Sequence, residues 1–186
     1  MTMKKAYILL TDTGTVLTRC IKLFTKKPYN HASLALDIDL NEVYSFGRKS
    51  ASNPFNGGFV KEDMNTKIFQ QANCALYSFE VTEKQYNDIK QFIKSFENQK
   101  EDYNYNILGL FGFIFNKPIG RKNSYFCSQF VATVLKENEV AQFEKTPALI
   151  APHDFQQISN FQLVFEGNLK NYLNDTTELA FNLVAS

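Results

Sequence analysis

The chain has 186 residues, 44% of them hydrophobic and 21% charged, with a formal net charge of +1. That length and mix describe one globular domain over residues 1–186, able to bury a full core without a metal or disulfide staple. The near-balanced charge gives no footprint for nucleic acid, and 18 Phe with 9 Tyr exclude a disordered chain.

Tyr7 to Leu10 reads as a short buried strand. The apolar run ends at Thr11-Asp12, too short for a signal-peptide core. From Thr13-Gly14-Thr15 a helix is expected, with Val16, Leu17, Cys20, Ile21 and Phe24 on its apolar face and Pro28 as its stop. His31 to Leu36 and Glu42 to Phe46 are expected to form a hairpin across the turn-like Asp37 to Asn41. Ser50 to Gly58 carries Asn53-Pro54 and Gly57-Gly58 and reads as a loop, with a short strand at Phe59-Val60. Cys74 to Val81 alternates and is rich in β-formers.

Thr82-Glu83-Lys84-Gln85 has the pattern of a capping box, flanked by Val81 and Tyr86 as a staple. It opens a helix to about Gln99 whose buried face is Tyr86, Ile89, Phe92, Ile93 and Phe96. Asn106 to Phe115 is apolar all round and reads as a buried helix ending near Pro118. Its longest apolar run is far short of the ~20 residues that a membrane span needs, so no stable membrane insertion is expected. After Ser124 comes a helix with Phe126, Phe130, Val131, Val134 and Leu135 as its stripe. A short helix begins at Pro152, and Phe161 to Phe165 reads as a strand. The class is α+β, an antiparallel sheet packed against helices.

Three cysteines, Cys20, Cys74 and Cys127, are far apart and contain no C-x-x-C pair. No disulfide framework or zinc ribbon is implied, and the expected setting is cytoplasmic, with reduced thiols. Cys20 falls on a helix stripe and Cys74 in an alternating strand, so both read as core. Cys127 is different. It sits in the first turn of its expected helix, where unpaired N–H groups and the helix dipole favour a thiolate. The same N–H groups suit the oxyanion of a tetrahedral intermediate. Two histidines are available as a base. His31 opens a strand, a rigid mount. His153, in Pro152-His153-Asp154, is ordinary helix-start chemistry.

Tyr29-Asn30-His31-Ala32-Ser33-Leu34-Ala35-Leu36, then Val43-Tyr44-Ser45, then Tyr125-Phe126-Cys127-Ser128-Gln129-Phe130-Val131 resemble the circularly permuted NlpC-type papain-like amidases and peptidases, the YiiX-like proteins among them. Lecithin–retinol acyltransferase-type enzymes share the order, with the His strand first and the Cys helix after. The resemblance runs from about Tyr7 to Phe155. It implies a permuted papain-like fold and a cysteine hydrolase in which Cys127 is the nucleophile and His31 the general base. The residue that orients the imidazole falls, by the same matching, on Ser45. A serine cannot balance an imidazolium by charge; Glu42 and Asp37 are the nearby acids, and strict alternation sends Glu42 to the opposite face. The implied substrate is a small peptide or amide, of cell-wall type or amino-acyl, with no cofactor and no metal. Two other readings stand beside this one. A thiol acyltransferase or lipase would use Phe111, Phe113 and Phe115 as an acyl-chain surface. A catalytically inactive binding module would account for the missing charge beside His31.

Overall fold

The computed structural model describes residues 2–14, 22, 26–49, 57–106, 109 and 117–184. Its elements run β1 (Met3–Asp12), β2 (His31–Ala35), β3 (Val43–Arg48), β4 (Gly57–Lys61), α1 (Lys67–Gln70), β5 (Asn73–Thr82), α2 (Glu83–Asn98), β6 (Asn104–Tyr105), β7 (Ser124–Tyr125) and α3 (Cys127–Glu137). Two 3₁₀ turns follow, Pro147–Leu149 and Pro152–Gln157, then β8 (Gln162–Asn168) and α4 (Leu169–Val184). The helices expected from Thr13 to Lys27 and from Asn106 to Phe115 lie largely outside the described residues, as does Cys20.

The main sheet has the order β4-β3-β2-β1-β5-β8, antiparallel at every step. The α+β class follows, with β-formers in the expected strands. Alternation along β1 decides the layers. Ala6, Ile8 and Leu10 face one side, where Ile89, Ile93 and Phe96 of α2 and Phe130, Val131, Val134 and Leu135 of α3 complete a core. Tyr7 and Leu9 face the other, against Phe69 of α1 and Leu169 and Tyr172 of α4. One side chain in two goes to each layer because successive strand residues point to opposite faces.

The capping box forms: the Thr82 hydroxyl accepts the Gln85 N–H at 3.2 Å, and the Gln85 side chain accepts the Thr82 N–H at 3.1 Å. Gln85 Nε2 also donates to the carbonyls of Asn138 and Glu139, tying the start of α2 to the end of α3. β4 is longer than the two residues expected, because Gly57 and Gly58 pair with Arg48 and Gly47 rather than turning away. Short β6 and β7 pair in parallel, so Ser124 and Tyr125 are strand and α3 begins at Cys127.

β2 and β3 carry the feature that builds the site. Their ladder covers only Leu34↔Tyr44 and Ala35↔Val43. Toward His31 the strands part, and the start of α3 docks there.

Candidate active site

Cys127 is the first residue of α3 and is 3% exposed. The N-cap residue, Phe126, makes no side-chain cap, so the first-turn N–H groups remain free of a capping oxygen. The Ser128 N–H donates to the sulfur instead, and so does the Ala32 N–H, released from the ladder where β2 leaves β3. Burial pushes the thiol up, but the charge of the neighbouring His31, its hydrogen bond and these two N–H groups outweigh that, and the pKa falls below the ordinary 9.0. A lowered thiol pKa at a helix N-terminus is the condition for a working nucleophile.

His31 stands at the first position of β2, hydrogen-bonded to Cys127. Its Nε2 lies 2.7 Å from Glu62 Oε1, which leaves Nδ1 to face the sulfur. The side chains are 11% and 6% exposed respectively, so the pair is screened from water. Burial alone would lower the imidazole pKa; the Glu62 carboxylate, with Cys127 on the other side, raises it well above 6.5. The arrangement is a cysteine sulfur, an imidazole and a carboxyl group joined in series by hydrogen bonds.

Glu62, not Ser45, is therefore the partner of the ring. Ser45 is fully buried and its hydroxyl donates to the Ala32 carbonyl at 2.8 Å. It closes the gap where the β2–β3 ladder stops, so its role is to hold the split strand. The other nearby acids are also engaged elsewhere. Glu42 takes Lys61 and the Tyr44 hydroxyl, and Asp37 takes the N–H groups of Asn41 and Glu42. Glu62 reaches the ring from just past the end of β4, across β3. That path is open because the β3 residues of this face that lie nearest His31, beyond Val43, are Ser45 and Gly47. An added Cβ on Gly47 would already sit 3.6 Å from Glu62 Oε1 and 4.0 Å from His31 Cε1, so any larger side chain fills the path.

Tyr105, on β6, is the second residue that sequence reasoning missed. Its hydroxyl is hydrogen-bonded to Cys127, and burial together with the nearby thiolate keeps that hydroxyl protonated, its pKa well above 10.0. It thus remains a donor aimed at the sulfur. Gly57 makes this placement possible: a Cβ there would lie 2.8 Å from Tyr105 Cβ and 2.9 Å from the Gly47 carbonyl.

The remaining candidates stay apart from the centre. Cys74 is fully buried, and burial followed by the charge of Glu166 pushes its thiol up to about 12. His153 sits beside Asp154 at 3.8 Å, and Asp154 accepts the Ala151 N–H at 2.9 Å. Tyr125 packs its ring 5.1 Å from that of Phe46 and 5.5 Å from that of Phe96. Phe111, Phe113 and Phe115 lie outside the described residues. Among the described residues, no group of three or more His, Cys, Asp or Glu is placed to hold a metal ion, and no helix is long and apolar enough to cross a membrane.

No family model, curated protein or solved structure matches this chain.

Proposed function

We propose that the chain is a cysteine hydrolase of the circularly permuted papain-like type, acting on an amide bond of a small peptide or amino-acyl amide. One observation carries this: a thiol of lowered pKa at a helix N-terminus, hydrogen-bonded to an imidazole whose other nitrogen is held by a buried carboxylate. Such a series is what a thiol nucleophile, its base and the group that orients that base require.

In this reading the Cys127 sulfur attacks the substrate carbonyl carbon and the C=O π electrons move to oxygen. First-turn N–H groups of α3 and the Tyr105 hydroxyl are the donors at hand for that oxyanion. His31 gives its proton to the leaving nitrogen as the C–N bond breaks, leaving an acyl-cysteine. Water, deprotonated by His31, then attacks the acyl carbon and the C–S bond breaks, returning the thiolate–imidazolium pair. Glu62 balances the imidazolium throughout. The presence of that carboxylate removes the main support for an inactive binding module.

A cysteine-directed electrophilic probe tests the reading. At neutral pH it is expected to label Cys127 and to leave Cys74 unmodified. In a His31→Ala variant labelling should fall by roughly ten- to a hundredfold, as the thiol returns toward its free pKa. Equal labelling of the variant would overturn the assignment. Turnover of peptide amides against ester lipids then separates a hydrolase from an acyltransferase or lipase.

A further inference from the structure

Glu62 presents two carboxylate oxygens, and only one of them meets His31. The other, Oε2, receives the Ser33 hydroxyl at 2.5 Å. Ser33 is fully buried. It stands two residues after His31 on β2 and therefore on the same face of the sheet. A fixed strand thus supplies both groups that hold the carboxylate, one at each oxygen.

We propose that Ser33 is a positioning residue for the Cys127–His31–Glu62 system: its hydroxyl holds the Glu62 carboxylate turned toward the His31 ring. This rests on the cysteine-hydrolase reading above. The reason is physical. A buried polar group is held in place by the hydrogen bonds that replace its lost water, and here His31 and Ser33 supply one at each oxygen of Glu62. Its sequence neighbour Lys61 gives no help, being paired with Glu42. Among the described residues, the ionisable groups set around the pair are His31 itself from β2, Cys127 from α3 and Tyr105 from β6; α1 contributes the Phe69 ring, 6.4 Å from the imidazole. Without the hydroxyl, Oε2 loses its partner and the carboxylate is free to turn away from the ring. A carboxylate turned away balances the imidazolium less well, so the His31 proton is drawn back toward the Cys127 sulfur.

Alkylation of Cys127 by iodoacetamide, followed against pH by mass spectrometry of the Cys127 peptide in the whole protein, reads this directly. In Ser33→Ala the acid-side midpoint is expected to move up by about one pH unit, the effect of one hydrogen bond to a charged group. Ser33→Thr keeps the hydroxyl and should hold the wild-type midpoint. In a Glu62→Gln background, Ser33→Ala should add no further shift, because its effect passes through that carboxylate. Should the alanine variant not fold, Ser33→Cys, a far weaker donor of similar size, replaces it with the same expected shift. An unmoved midpoint, or an equal shift in the Glu62→Gln background, overturns the role of Ser33 alone. A wild-type Cys127 that alkylates only near the free-thiol range overturns the hydrolase reading itself.

Discussion

Glu62 meets His31 by spanning the width of β3, and the charge it brings raises the pKa of the imidazole beside the sulfur. Glu62→Gln keeps the shape and removes the charge. The His31 pKa should then fall by roughly one to three pH units, the usual reach of an opposite charge at contact, and Cys127, with less imidazolium beside it, should titrate higher. The alkylation profile measures it. In the wild-type protein the sign runs in both directions. The Cys127 pKa is depressed, so the thiolate appears as pH rises through that lowered value and is lost below it. The His31 pKa is raised, so the imidazolium persists well above 6.5 and disappears only as pH rises through the folded value. On the hydrolase reading, a bell-shaped profile of kcat/KM is expected between the two. Folding follows the same linkage: the imidazolium's contribution to stability is full below 6.5 and fades as pH climbs through the raised His31 value. Cys127 and His31 were legible as residues because each opens an element whose start is marked in the sequence. Glu62 was not. It lies 31 residues after His31 in the chain and reaches it diagonally, over two small residues of an intervening strand. Counting along the next strand stops at Ser45.

Elements place these groups through close approaches that leave little tolerance. Gly57 lies against Tyr105, and a Cβ there would press on both the Tyr105 Cβ and the Gly47 backbone. Gly57→Ala is therefore expected to push β6 outward, weakening the Tyr105 hydrogen bond to Cys127 and slowing turnover with a smaller effect on the alkylation midpoint than Glu62→Gln; kcat/KM beside the alkylation profile separates the two. The capping box at Thr82 is different in kind, because it acts on stability. Thr82→Ala should cost about 1 kcal/mol, or roughly 2–4 °C in Tm for a chain of this size, with the site chemistry unchanged at low temperature. The box was readable since its bonds run between residues three apart. β6 and β7 were not readable, since two-residue strands have no periodicity to detect.

Across the molecule, the helix that carries Cys127 is seated by aromatic packing. Phe46 of β3, Phe59 of β4, Phe96 of α2 and Phe130 of α3 are almost wholly buried and in mutual contact, with Phe46 and Phe130 centroids 5.4 Å apart. Phe46→Ala should cost about 3–5 kcal/mol, checked by chemical denaturation, because the cavity opens between sheet and helices together. The same loss should loosen the docking of α3 in the β2–β3 split.

The chain's own order of residues determined the class, the antiparallel strands, the capped helix, the buried stripe of α3 and the two residues whose element starts suit a nucleophile and a base. Those are local properties: spacing, turn chemistry and helix-end polarity act over a few neighbouring positions. What only the tertiary structure decided is the company those residues keep. The ladder between β2 and β3 breaks off, α3 enters the gap, Glu62 arrives from just past the end of β4 and Tyr105 from β6. Such contacts are set by how the sheet registers and how closely small residues let neighbours approach, and no local pattern encodes that.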